Sequence, residues 1–353
     1  MKNTKQFLIY GATGYTGKLA ARAAKEKGLS PILAGRNEAK VRAVAEPLGL
    51  AYRAFDLSDT AKLDAALAEV DCVLHIAGPF SATSKPMAEA CLRTGTHYLD
   101  ITGEIDVFEA LAARDAEGKA KGVMLLPGVG FDVVPSDCLA AHMKRRMPDA
   151  TDLKLYIGGL GGVSRGTAKT MVEGIDKGTR VRRDGKFVTM ARANSDTIDF
   201  GTGPKKTYGM SWGDVSTSYY STKIPNIEVH FEALPQIEQA QRVPNFVKSI
   251  MGWPFVQGLL KAQIDRMPEG PTAEERERGR GVLIGVATNA KGERARSRLT
   301  TGEGYSLTAL TAIEIARRVT NGEFKPGFQT PSLMFGPDFI LEFPNVRREE
   351  LNA

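Results

Sequence analysis

The chain has 353 residues, 42% hydrophobic and 25% charged, with a formal net charge of +6. That length suggests about two domains of roughly 150 residues each, and the balance excludes a disordered chain. The basic residues are scattered apart from Lys144–Arg146 and Arg180–Arg183, so a solvated basic surface is expected and nucleic-acid binding is not.

The first third alternates strand and helix patterns. Strands are expected at 6–10, 31–35, 51–55, 72–77, 97–101 and 123–126. Helices are expected at 14–27, at 37–46, from a Ser58 cap, from Lys85–Pro86 with proline in the first turn, and at 104–119. Strands joined by helical crossovers pair in parallel, so the reading is α/β, a doubly wound parallel sheet over 1–130. The Pro- and Gly-rich stretch 127–137 leads into a second, α+β domain over 131–325. There "LKLYIGGL", "KFVTMAR", "STSYY" and "IEVHFEA" read as strands, and 305–319 as an amphipathic helix. The apolar segment 244–264 reads as a helix packed on a core, with a lid or a weak membrane-surface contact as the sharper alternatives. "EERERGRG" (274–281) reads as a charged loop or helix end, and residues 326–353 as a tail packing back on the first domain.

Cys72, Cys91 and Cys138 are widely spaced and odd in number, which argues against a disulfide framework and for a reducing, cytoplasmic setting. The histidines and cysteines never cluster, so no metal site is expected. No run approaches the ~18 apolar residues of a membrane span, and a soluble protein is expected.

Chemistry enters with "GATGYTG" (11–17). Between a strand and a helix, Gly11 permits a tight turn, Gly14 lets backbone approach a pyrophosphate, and Gly17 allows close packing of the helix. Helix amides then face the phosphates, with Thr13 and Thr16 as hydroxyl donors and Tyr15 as a cover. The second strand ends in "AGRN", where NAD-specific sheets place a carboxylate. Arg36, with Asn37, suits a 2′-phosphate and points to NADP over NAD. After the third strand, Asp56 and Leu57 reach the adenine edge, unless the carboxylate caps the next helix. After the fourth, Ala77, Gly78 and Pro79 allow close approach of the ribose or nicotinamide. Four consecutive strand ends thus agree on one dinucleotide.

With "LAGRN" (33–37), "AGPF" (77–80), "HYLDITGE" (97–104) and "GFDVVPSD" (130–137), the chain resembles the saccharopine dehydrogenase-like oxidoreductases, within them the trans-acting enoyl reductase-type branch. Weaker matches are "GPTAEERERG" (270–279) and "GEGYSLTA" (302–309). The resemblance implies an NADP-binding Rossmann domain, a second domain that supplies the substrate pocket and often dimer contacts, and hydride transfer to a C=C, C=N or C=O bond.

Such a reaction needs a proton donor. Asp100, Asp132 and Tyr98 are the candidates, with Asp137 also flanking the interdomain turn, and none is fixed by the sequence. Tyr219 and Lys223 match a YxxxK pattern, but they read as strand, without a helix to align them. His75 reads as a satisfied core histidine. The expectation is therefore an NADP(H)-dependent oxidoreductase acting on a polarised double bond of a small or lipid-like substrate, as a homodimer. The alternatives are opine- or imine-type C=N chemistry on an amino acid, and a non-catalytic NADP-binding redox sensor.

Overall fold

The computed structural model describes residues 4–352 except 175, 234–237, 240–242, 244–246 and 248–249. It divides into two compact units, one of residues 1–134 with 305–336 and one of 135–304 with 337–353.

In the first unit the strands are β1 (Phe7–Tyr10), β2 (Ile32–Gly35), β3 (Tyr52–Ala54), β4 (Cys72–His75), β5 (His97–Asp100) and β6 (Met124–Leu126). Between them run α1 (Tyr15–Glu26), α2 (Glu38–Ala45), α3 (Thr60–Ala68), α4 (Phe80–Thr94), α5 (Ile105–Ala112) and α6 (Asp115–Lys121). The sheet order is β6-β5-β4-β1-β2-β3, every pairing parallel, with Leu8 in register with both Ile32 and Val73. The doubly wound parallel sheet expected from the sequence is thus present. Helices cover both faces, so FLIY, ILAG and CVLH are buried along their whole length. Small residues bring α1 onto the sheet: Gly17, Ala20, Ala21 and Ala24 recur at helical spacing and are all buried. The helix ends at Gly28, whose φ of 71° only glycine adopts at little cost.

Three local expectations are corrected. Ser58 does not cap α3: Asp59 does, accepting from the Lys62 amide, while Ser58 closes a turn on Asp56. α4 starts at Phe80 and not at Lys85–Pro86, and Pro86 lies inside it. The segment 104–119 is two helices broken at Ala113–Arg114.

The second unit opens with α7 (Val134–Arg146, its first residue on the boundary). It continues through β7 (Ala150–Gly158), α8 (Arg165–Glu173), β8 (Thr179–Arg183), β9 (Lys186–Met190), β10 (Ser195–Asp199), β11 (Pro204–Gly209), α9 (Asp214–Thr222) and β12 (Asn226–Glu232). α10 (Pro254–Ile264), α11 (Ala273–Arg278), β13 (Arg280–Asn289) and β14 (Arg294–Gly302) follow. The sheet runs β10-β11-β12-β7-β13-β14, antiparallel except for β12 on β7, with β8 joined to β12 and β9. α7 lies on one face, where a Cβ at Gly285 would stand 2.8 Å from Met143. "STSYY" is not a strand but part of α9: burial of Val215 to Ser218 overrides the β preference of its hydroxyl and aromatic residues. Of the segment 244–264, part lies outside the described residues. Within the rest, α10 carries Phe255 and Leu259 largely exposed, with Trp253 at its N-cap. "EERERG" is the short helix α11, held by a Thr272–Glu275 capping box.

The closing elements divide between the units, unlike the expected three-part division. α12 (Gly304–Thr320) belongs to the first unit, pinned where Thr308 Oγ1 accepts from the Phe131 amide at 2.9 Å and Thr311 donates to the Val129 carbonyl at 2.8 Å. Its buried Ile313, Ile315 and Ala316 supply the apolar face that holds it there. β15 (Gly327–Phe328) adds a seventh parallel strand beside β6. After the short helix α13 (Pro331–Phe335), β16 (Arg347–Leu351) pairs with β14 in the second unit.

Candidate functional site

The strand order reverses between β1 and β4, the point in an open parallel sheet where ligands bind beyond the carboxyl ends of the strands. The glycine turn lies there. Gly11 has φ 94°, and a Cβ on it would stand 2.8 Å from the Ala77 amide nitrogen. On Gly17 a Cβ would be 2.2 Å from the Gly11 carbonyl. Those two glycines are consumed by close packing. At Gly14 the nearest atom would be 3.5 Å away, and the residue is exposed, so here the turn is open to a ligand.

Helix N-termini at this edge differ in a way that singles out α1. The α2 terminus is capped by Asn37, α3 by Asp59, and α4 by the remote Glu104, which accepts from the Phe80 and Ser81 amides at 2.9 and 2.8 Å. α5 has no capping side chain but carries Asp106 in its first turn. α1, with Gly14 at its N-cap, has neither a capping side chain nor an acidic residue in its first turn. Its amides and dipole are therefore presented to an external anion. Thr13 and Thr16 are half-buried beside it, and Tyr15 packs edge-on against Tyr305 of α12, 5.2 Å between ring centroids, instead of standing open as a cover.

At the end of β2, Arg36 is exposed, and its guanidinium forms no hydrogen bond or ion pair among the described residues. Asn37 is committed elsewhere, its side-chain oxygen accepting from the Lys40 amide at 3.0 Å. Asp56 is likewise drawn to its own turn: the Ser58 amide and hydroxyl both donate to Oδ1 and, with nearby Arg36, hold its pKa below the ordinary value. Leu57 is half-buried next to it. Tyr10 closes this end from below, donating to the Phe55 carbonyl at 3.1 Å, with burial raising its pKa to about 12.

Past β4, Ala77, Gly78 and Pro79 form the rim, Gly78 exposed and joined to Pro79 by a cis bond. Thr83 donates to the Ala77 carbonyl at 2.7 Å and lies 3.1 Å from that of Pro79, while His75 Nε2 is 2.9 Å from the same hydroxyl. With the hydroxyl proton so used, the histidine is the donor. His75 is only half satisfied, since Nδ1 is buried with no partner among the described residues, and burial lowers its pKa to about 3. Glu104, His75–Thr83 and Tyr305 carried no local signal of these contacts, because each partner lies on another element or is a backbone group.

The proton-donor candidates separate sharply. Tyr98 is fully buried and donates to Asp100 Oδ2 at 2.6 Å. Asp100, also fully buried, accepts from the Thr102 and Gly128 amides at 3.0 and 2.9 Å through Oδ1, and burial raises its pKa to about 6. The two tie β5 to the loop after β6, and neither faces a ligand. Asp132 is different. It is half-buried against Gly103, where a Cβ would be 3.3 Å from Asp132 Oδ2, and desolvation pushes its pKa up to about 7. Gly103 adjoins Glu104, which grips the start of α4, so Asp132 is linked to the AGPF rim through Gly103 and Glu104 within the first unit.

In the second unit, Asp137 accepts from Ser221 at 2.6 Å. Tyr219 is on a helix after all, but Lys223, its C-cap, lies over the Tyr219 ring at 5.3 Å, and Arg182 stacks on the ring at 4.2 Å. The pair is a cation–π contact and not an acid–base couple. Among the described residues, no group of three or more His, Cys, Asp and Glu could hold a metal ion, and no helix is long and apolar enough to cross a membrane.

An open parallel sheet with a glycine turn and one uncapped helix at its switch point defines a dinucleotide-binding unit of the Rossmann type. Residues 7–126 match the family model of the saccharopine dehydrogenase NADP binding domain. Over this unit the chain is similar to the saccharopine dehydrogenase-like family, and its cofactor class is a nicotinamide dinucleotide. It is similar to the trans-acting enoyl reductase of Mycobacterium leprae, 33% identical over 154 residues, 41% of this chain and 37% of that protein. It is also similar to that of Mycobacterium ulcerans, 31% identical over 155 residues, 40% and 36% of the two chains. The match thus spans little more than a third of these relatives. In fold it resembles saccharopine dehydrogenase (L-Glu forming) from Saccharomyces cerevisiae, with TM-score 0.67 at 12% identity over 98% of this chain and 100% of that one.

Proposed function

We propose that this protein is an NADP(H)-dependent oxidoreductase that reduces a polarised double bond, an enoyl-type C=C or a C=O, in a small or lipid-like substrate. The observation that carries the reading is the pairing of the uncapped α1 terminus at Gly14 with the unengaged Arg36 one strand away. The first suits a pyrophosphate and the second a 2′-phosphate. The glycine cradle fits the cofactor, since only Gly14 of the three leaves space. NADPH, when bound, supplies a hydride to the substrate carbon. The chain's own residues then have three tasks. α1 and Arg36 hold the phosphates, and the AGPF rim bounds the nicotinamide half. Asp132, protonated near neutral pH, donates the proton to the partner atom of the double bond.

The enoyl option is supported by the names of the mycobacterial relatives, and the lipid-like option by the exposed Trp253, Phe255 and Leu259. A homodimer is the assembly we propose, on the half-exposed second face of the mixed sheet; a monomer by light scattering would refute it. The cofactor reading is tested by titrating NADPH and NADH against intrinsic fluorescence. Tight NADPH and weak NADH binding support it, and equal affinities overturn it. A panel of enoyl, keto and imino compounds then reads NADPH oxidation. Turnover of imines alone favours the C=N reading, and silence across the panel favours a sensor.

A further inference from the structure

The AGPF rim is held from two sides by groups that the cofactor contacts themselves do not require. Pro79, the N-cap of α4, offers no capping side chain. The amides of Phe80 and Ser81 are instead taken one each by the two carboxylate oxygens of Glu104, 24 and 23 residues away at the N-cap of α5. From beneath, Thr83 Oγ1 ties the Ala77 and Pro79 carbonyls together and is itself held by the buried His75. A carboxylate already seated on these amides also removes α4 as a competitor for the cofactor's phosphates, leaving α1 as the terminus that takes them.

We propose that Glu104 is a positioning residue that fixes residues 77–80 as the seat of the nicotinamide half, with Thr83 as its second anchor. This rests on the dinucleotide reading of the first unit. Glutamine at 104 keeps the size but has one carbonyl oxygen for two amide donors, and its NH2 faces an N–H. A rim loosened in this way disturbs only what it touches.

The test uses the full chain and two ligands: NADPH, and adenosine 2′,5′-bisphosphate, which lacks the nicotinamide half. Glu104→Gln is expected to weaken NADPH roughly tenfold and leave the bisphosphate within about twofold. Thr83→Val, nearly isosteric, is expected to give the same split to a smaller degree, and serves if Glu104→Gln fails to fold. Equal weakening of both ligands, or of neither, overturns the inference while the cofactor reading stands. A wild-type chain that binds neither ligand overturns the cofactor reading itself, and this inference with it.

Discussion

In the parallel sheet FLIY, ILAG and CVLH are buried at every residue, whereas in the mixed sheet SDTID alternates between exposed and half-buried positions. Charge is distributed accordingly. The first unit keeps its ionisable groups at strand ends and helix starts, among them Arg36, Asp56, Glu104 and Asp132. The second spreads them over a sheet face. There Lys154 and Tyr156 both reach Asp196 at 2.9 and 2.7 Å, and His230 and Arg183 both engage Glu228. One unit buries the few polar groups of its central strands, His75 and Asp100 among them, and works at its edge; the other uses polar groups as part of the fabric. Ligand binding and folding should therefore respond to different residues in the two units.

The largest effect should come from filling the glycine turn. Gly17→Val places carbon where the Gly11 carbonyl stands, costing about 3 kcal/mol or more, and the first unit should lose its folded signature by circular dichroism. Asp132→Asn should keep NADPH binding and lower turnover by roughly 10²–10⁴. Wild-type turnover should fall as pH rises through about 7, the value of this carboxyl. The linkage has a sign. With a folded pKa above the unfolded one, Asp132 makes stability fall as pH rises from about 4 to about 7, so Asp132→Asn should flatten that part of the melting profile. An unchanged pH–rate profile in the variant would remove Asp132 as the donor.

Arg36→Glu should weaken NADPH by about 10–100-fold and improve NADH, since a charged hydrogen bond contributes about 1.5–3 kcal/mol. The smallest effect on binding should come from the second unit. Glu228→Gln should cost about 1–3 kcal/mol of stability in urea and leave the NADPH dissociation constant unmoved. Glu228, held down at about pH 2 by the His230 and Arg183 hydrogen bonds, contributes above its unfolded pKa, and that contribution is lost as pH falls toward 2. Were this variant to abolish NADPH binding, the separation of roles between the units would fail.

The parallel sheet was legible because strands buried on both faces leave unbroken apolar runs, and the glycine turn because its spacing carries a backbone requirement. What stayed hidden was tertiary. "STSYY" has the residue types of a strand, and only the burial of α9 makes it a helix. Glu104 finds its partners 24 residues back, at the start of a helix that Pro86 had seemed to push later. Asp100 and Asp132 are the same residue type, each a residue or two from a strand end or glycine. Their difference is that Asp100 is enclosed by two amides and a phenol, while Asp132 is half open. α12 follows the second domain in sequence, and no composition signal announces its return to the first unit.

That return has a consequence for synthesis. The seventh strand of the parallel sheet, Gly327–Phe328, is made some 200 residues after β6, its neighbour. A ribosome delivering the chain from its N-terminus therefore exposes the flank of Met124–Leu126 until the whole intervening unit has emerged. The second unit in turn waits for Arg347–Leu351 to complete its edge. The first unit is completed at residue 336 and the second only with 337–353, so a cut after 134 costs the first unit its seventh strand and a cut after 336 costs the second its edge strand.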